Sequence, residues 1–475
     1  MQHSTVLMRT ASSLVIVSAL AAPAVADRSS IHATGSGDIG FTDNVFQEER
    51  GRQDGDLFFQ LRPGFLYSWG IPRMIHDVSG ELEITQYTLH GNEANVAGRA
   101  GWNALFLPGP RSQLSVSADA GTGVTSALTA RTPPDQVVVE LQPLQNQTFQ
   151  SVSASEYGSY TITPDTRIAE RFYARASEMD DNAMDRDPSL TNTVVSSRDF
   201  GGSLTLSRSW KKTSLSLDVG GSILRLERVA PVDAIRPSRL DRQRNPRVRL
   251  ALGRDIDKRL SAGLDAGFVY VIPYGTDPYN PDDTSARGRG LYPLFGGNLS
   301  YTDGWGVGTM SLRRDVSPNL LLGVNTINEA AQIAAAMPLP WREDNRRRQP
   351  KLVGLGTLSI LRTRFIDPVT ADPSASFGVA RIDLGVQYNV RPGFAYTIRY
   401  EMMWQTGDDN AMTPVGSFFR NTFFFSFKYR YPEDVAQPIP KRKRMRADGE
   451  EGLTEGEPVI QDLLDAESGE GGGRR

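Results

Sequence analysis

Phe394-Ala395-Tyr396-Thr397-Ile398-Arg399-Tyr400-Glu401-Met402-Met403-Trp404 places a large apolar side chain at every even position and mostly small or charged side chains between them. A period of two puts successive side chains on opposite faces of an extended strand. One face of this strand therefore suits hydrocarbon and the other water. A strand needs only about ten residues to cross a bilayer in this way, and averaged hydropathy hides it.

The pattern recurs along the chain. Ile382, Leu384, Val386 and Tyr388 alternate with Arg381, Asp383, Gln387 and Asn389. Leu215, Leu217 and Val219 alternate with Ser214, Ser216 and Asp218. Leu260, Leu264, Phe268 and Tyr270 face away from Ser261, Gly263, Asp265 and Gly267, and Leu114, Val116 and Ala118 from Ser115, Ser117 and Asp119. A soluble β-sandwich or propeller alternates for the same reason, but hides its apolar faces in a shared core. Two features favour the membrane: the strands run to about ten to fifteen residues where about five or six is usual, and Trp69, Trp102, Trp210, Trp305 and Trp404 fall near expected strand ends, as interface girdles do. The chain is 39% hydrophobic, less apolar than an ordinary globular protein, as a water-lined interior requires.

Strands are expected at 29–42, 56–69, 75–90, 93–106, 111–130, 147–162, 165–179, 193–209, 211–228, 244–254, 258–272, 291–302, 304–315, 319–336, 350–364, 376–390, 392–406 and 417–432. Every second connection is mostly a tight turn of Pro, Gly, Asp or Lys, such as Pro108-Gly109-Pro110, Lys211-Lys212 and Asp303-Gly304. The others, including 43–55, 131–146, 180–192, 229–243, 273–290 and 407–416, are longer and polar. Outer-membrane barrels show this alternation, with short turns inside and long loops outside. The expected fold is all-β, a transmembrane antiparallel up-and-down barrel of about eighteen strands with sixteen as the alternative, and both termini lie in the periplasm. Two regions fit less well. Ala330 to Ala336, with Asn325 to Glu329, offers a short helix as the alternative to strand, and Met337 to Pro350 is long for an inner turn.

The N-terminus carries Arg9, an apolar run from Leu14 to Ala22 and then Ala24-Val25-Ala26, the pattern of a signal peptide over residues 1–26 cleaved before Asp27. The run is too short for a spanning helix. With no cysteine in the chain, disulfides, thiol catalysis, Cys-ligated zinc and attachment through a lipidated cysteine are excluded. The barrel would occupy residues 27–432. Residues 433–475 are of different composition: Lys441-Arg442-Lys443-Arg444-Met445-Arg446, then an acidic, Gly-rich stretch. They read as a disordered, charged periplasmic tail, or a docking segment for an envelope partner or the cell wall. A formal net charge of −3 argues against a nucleic-acid partner.

No catalytic or cofactor motif is present. Of four histidines, His3 leaves with the signal, and His32, His76 and His90 lie in no motif; no Gly-x-Ser-x-Gly elbow surrounds a serine. Phosphate loops and two-His metal motifs are missing, so no cofactor is expected. The acidic stretches Glu178 to Asp185 and Asp277 to Asp283 offer oxygen ligands without EF-hand spacing, and read as hydrated loops. The lumen-facing set assigned by the alternation contains Arg247, Arg249, Arg381, Arg399, Lys428 and Arg430 together with Asp119, Asp218, Asp265, Asp383 and Glu401. Both signs suit a water-filled interior; alternatively the charges pair across a plugged or narrow barrel.

Ile39-Gly40-Phe41-Thr42-Asp43-Asn44-Val45-Phe46, followed by Asp56-Leu57-Phe58-Phe59-Gln60-Leu61-Arg62-Pro63-Gly64, resembles the opening strands of the β-barrel porins found with exopolysaccharide machinery. Arg420-Asn421-Thr422-Phe423-Phe424-Phe425-Ser426-Phe427-Lys428-Tyr429-Arg430-Tyr431-Pro432 is similar to the closing strand read by the barrel-assembly machinery, with Phe423, Phe425, Phe427, Tyr429 and Tyr431 as its signal. In those proteins the closing strand normally ends the chain, whereas about forty residues follow here. The resemblance implies an integral barrel of the bacterial outer membrane, not an enzyme, that passes a hydrophilic solute or an exported polysaccharide. It implies as partners outer-membrane lipid, the assembly machinery and periplasmic polysaccharide-export components. The rival expectation is a structural or adhesive barrel, closed to solutes, that acts through its outer loops.

Overall fold

The computed structural model describes residues 28–45, 53–71, 73–90, 95–124, 148–179, 194–228, 239–274, 288–319, 324–339, 351–366, 371–391, 393–407 and 417–431. The signal-peptide residues, the charged tail and both acidic loop stretches beyond Met179 lie outside them.

Eighteen strands follow one another: β1 (Arg28–Thr42), β2 (Asp56–Ile71), β3 (Met74–Tyr87), β4 (Asn95–Gly109), β5 (Ser112–Val124), β6 (Thr148–Thr163), β7 (Thr166–Met179), β8 (Val194–Trp210), β9 (Thr213–Arg228), β10 (Arg239–Asp255), β11 (Leu260–Tyr274), β12 (Gly290–Asp303), β13 (Gly306–Asn319), β14 (Val324–Pro338), β15 (Leu352–Ile366), β16 (Pro373–Arg391), β17 (Phe394–Thr406) and β18 (Phe418–Tyr431). Each pairs antiparallel with its sequence neighbours, and β1 closes on β18 from Ala33–Tyr431 to Thr42–Thr422. The chain is therefore a closed up-and-down barrel, which satisfies main-chain hydrogen bonds within the wall.

Tight turns join the strands at one end, except between Pro338 and Leu352, where the connection is long, as the sequence indicates, and mostly longer connections join them at the other. At Lys211 the two-residue turn between Trp210 and Thr213 takes a φ of 50°, the left-handed value that a hairpin of this length requires. In the β10–β11 turn the Asp257 carboxylate accepts the main-chain N–H groups of Arg259 and Leu260 at 2.6 and 2.9 Å; these bonds hold its pKa below the usual value.

One alternative falls away and two expectations need correction. Residues 325–336 lie in a strand, as the expected span 319–336 has it, and not in the alternative short helix: they belong to β14, paired throughout with β13 and mostly with β15. Alanine favours helices, but a helix here would leave the facing ladders of two strands unpaired in the wall. Strand β10 begins at Arg239, five residues before its expected start, because Arg239 still pairs with Arg228. Trp102 is not at a strand end; it sits inside β4, opposite Val78.

Candidate functional site

The wall separates two environments. Outward side chains are large and bare: Leu264 is 66% exposed, Ile398 63% and Leu384 53%. An apolar surface continuous around a closed cylinder is stable only against hydrocarbon. Across the middle of the barrel many inward side chains are charged and paired with one another.

Two ion networks line the interior. In the first, Glu401 on β17 binds Arg381 on β16 and lies 3.4 Å from Arg420 on β18; Asp383 binds Arg399 and lies 3.7 Å from Arg381. Beside it Arg62 on β2 reaches Asp38 on β1 and Glu83 on β3, both at 2.9 Å. The second network holds Arg249 on β10 between Asp265 at 3.0 Å and Asp315 at 3.8 Å, with Arg313 2.7 Å from Asp315 and Arg247 3.7 Å from Asp218. Antiparallel register explains the pairings diagonally: Asp383 stands opposite Glu401, so Arg381 and Arg399, each two residues from an acid on its own strand, reach the acid on the neighbouring strand, and Arg247, two residues from Arg249, reaches Asp218 in the same way.

By register the expected lumen residues lie on the inward faces of their strands. Arg247, Arg249, Arg381, Asp383, Arg399 and Glu401 enter the networks, whereas Lys428 and Arg430 lie near the tight-turn end of β18, outside them. Asp119 meets Arg99 at 3.4 Å. Phe423, Phe425, Phe427, Tyr429 and Tyr431 line the outward face of β18. The sequence reading missed Arg62, Asp38, Glu83, Arg313, Asp315 and Arg420. For Arg62 the signal was present, since Phe58, Gln60 and Arg62 alternate with Leu57, Phe59 and Leu61.

The interior is unequal along its length. At the tight-turn half Thr397, Gln387, Asn389, Ser426 and Lys428 are half-buried or exposed. At the long-loop half Gln60, Thr85, Asn95, Ser177, Leu224, Gln243, Val271, Phe377, Gln405 and Phe418 face inward and are buried.

Part of that filling comes from the wall itself. The β12–β13 ladder stops at Phe295–Arg314, although β12 stays paired with β11 up to Gly290 and β13 with β14 up to Asn319. Beyond that point the two strands part. Asn325 on β14 hydrogen-bonds Gln243 and, at 3.2 Å, Asn245, both on β10. Four strand spacings of about 4.8 Å separate β10 from β14 along the wall, far beyond the reach of an asparagine. The contact is made because the ends of β13, β14 and β15 fold inward over β10–β12. Ile327, Ile366 and Ala371 accordingly pack on the inward side chains Val269, Val271, Tyr292 and Leu294, all 7% exposed or less. The Tyr292 hydroxyl donates to the Ala371 carbonyl. Where the fold starts, Glu329 is held by Arg314 at 3.0 Å and Arg364 at 2.7 Å. These strand ends form a flap inside the long-loop mouth.

The histidines are dispersed. His32 is buried on the inward face of β1. His76 lies on the outward face between Trp69 and Trp102, ring centroids 4.8 and 6.0 Å away, and accepts the Trp102 indole N–H at 3.3 Å. His90, just after β3, has Nδ1 3.0 Å from Asp56. Among the described residues no three His, Asp or Glu side chains are grouped to hold a metal.

No family model and no curated protein matches the sequence. Solved structures do. The chain is similar to OccAB3 of Acinetobacter baumannii at 10% identity over 85% of this chain and 99% of that one, with a TM-score of 0.43. It is similar to OpdK of Pseudomonas aeruginosa, solved with vanillate, at 11% identity over 84% and 99%, with a TM-score of 0.41. The copper transporter OprC matches at 10% identity over 86% and 81%, with a TM-score of 0.45. With its ladder closed, its exterior apolar and its interior charged, the chain has the fold of a bacterial outer-membrane β-barrel.

Proposed function

We propose that the chain, exported by cleavage of residues 1–26, sits in the bacterial outer membrane as a porin-like conduit for a hydrophilic solute, and that its cargo is an exported polysaccharide. The observation that carries the reading is the charged, paired lumen, accessible at its tight-turn half and narrowed at the other by the flap. In the barrel orientation with tight turns in the periplasm, the accessible half is a vestibule open to material leaving the cell. Neutral and charged sugars are bound by polar side chains with both donors and acceptors, which this lumen supplies. Residues 433–475 then lie in the periplasm, available to export components, and the outward aromatics of β18 serve the assembly machinery.

The buried outer half supports a second reading, a closed barrel that acts through its outer loops. Planar-bilayer recording separates the two. Ile327→Asp would put a carboxylate among Val269, Val271, Leu294 and Ile366, where an unpaired charge is strongly unfavourable. The expected result is release of the flap and a several-fold rise in single-channel conductance. Asn245→Cys with Asn325→Cys added to Ile327→Asp, in a chain without other cysteines, is expected to hold conductance at the wild-type value when oxidised and to let it rise when reduced. A wild-type barrel and an Ile327→Asp barrel that both fold and never conduct would support the closed reading.

A further inference from the structure

We propose that the outer wall of β8–β10 is a binding site for a lipid headgroup that carries two or more phosphates. Arg198 stands directly opposite Arg225, and Arg225 directly opposite Arg242. The three share the outward face with Phe200, Ile223 and Leu250. Opposite partners in an antiparallel pair lie about 4.5–5.5 Å apart, and like charges so placed repel. Among the described residues no carboxylate forms an ion pair with any of the three, and the Arg242 Nε is buried with no hydrogen-bond partner. Glu178 and Glu227 lie one row nearer the loops, on the same face, flanking Ser196. Arg244 lies one row nearer mid-membrane, over the Tyr274 ring at 4.5 Å. The four arginines outnumber the two glutamates, and a row of three adjacent guanidiniums is left for an external anion.

The height of the row identifies its source. From Arg198 to Arg208 the strand rises about 33 Å, or about 25 Å vertically at the usual barrel tilt, the height of the apolar band. Arg208, over the Trp210 ring at 5.2 Å, marks the periplasmic edge, so the Arg198 row lies at the outer edge, level with headgroups. Guanidinium binds phosphate bidentately, and three in a row span more than one phosphate.

A second feature sits just below. A groove of about 840 Å³ is lined by the outward residues Phe172, Phe200, Gly202, Gly221, Ile223 and Ile272, with Arg244 on its loop-side rim and Glu156 across from it. Gly202 and Gly221 leave the wall there without side chains. An apolar trough that begins under a phosphate-binding row fits an acyl chain continuous with a phosphorylated head. A free anion would use only the row.

The proposal rests on the membrane reading and is tested apart from conduction. Purified barrel is loaded with a bis-phosphorylated glycolipid or its dephosphorylated form, and retained lipid is counted by native mass spectrometry. The wild type is expected to retain the phosphorylated form, and Arg198→Gln/Arg225→Gln/Arg242→Gln to lose at least about tenfold in retention, since three charge-assisted hydrogen-bond donors to phosphate are removed together. Arg208→Gln/Arg254→Gln, at the other edge, should change nothing. Heat-modifiable migration confirms that each variant is folded, and Arg225→Gln alone replaces the triple variant if that fails. Equal retention by wild type and variant, equal retention of both lipids, or displacement by millimolar inorganic phosphate would overturn it. A barrel that retains lipid yet never conducts would leave this site standing and sink the conduit.

Discussion

Arginine in place of Ile398 is expected to destabilise the barrel by about 2–4 kcal/mol, the cost of a cation on the lipid face near mid-membrane, whereas arginine in place of its neighbour Thr397 is expected to fold normally. Ile398 projects outward and is 63% exposed, opposite Val386 and Phe425. Thr397 projects into the interior, opposite Gln387 and Ser426. Leu384→Arg and Gln387→Arg repeat the contrast one strand away. Urea unfolding in lipid vesicles reads the difference, and equal cost on both faces would reverse the assignment of inside and outside.

The second large effect concerns the charged interior. Glu401 is 6% exposed and sits between Arg381 and Arg420. Glu401→Ala takes from Arg420 its carboxylate and leaves Arg381 only the longer contact with Asp383 at 3.7 Å. Removing one partner of a buried pair costs about 3–5 kcal/mol, and because the arginine side chains are 31% and 19% exposed a loss of about 2–3 kcal/mol is expected after solvent screening. Glu401→Gln, which keeps the shape and one acceptor, should lose less. If Glu401→Ala unfolds at the wild-type urea concentration, the network is not what braces β16–β18.

Alternation made the strands legible because it is a local property: each residue's face depends only on its parity. Eighteen strands, their order and the inward set followed from that rule and from the rhythm of short and long connections. Residues 325–336 left a helix open beside the strand because Ile333 is the one large apolar side chain between Ile327 and Met337 in an alanine-rich run, so the alternation had little contrast. Pairing on both sides decided the matter, and pairing is not local. The same limit hid the flap. Parity correctly puts Asn325 and Ile327 on the outward face of β14, yet nothing local says that this face meets the inward face of β10–β12, some eighty residues away in sequence. The arginine row was hidden likewise, since Arg198, Arg225 and Arg242 become neighbours only once two registers are fixed.

The early end of the β12–β13 ladder has a mechanical consequence. Every other neighbouring pair of strands is joined by a longer zipper, so the rim between Phe295 and Arg314 acts as a notch in an otherwise seamless cylinder. Strain applied to the mouth concentrates at a notch. A tear should therefore begin there and run down toward Asp303, opening the wall between its first twelve staves and its last six.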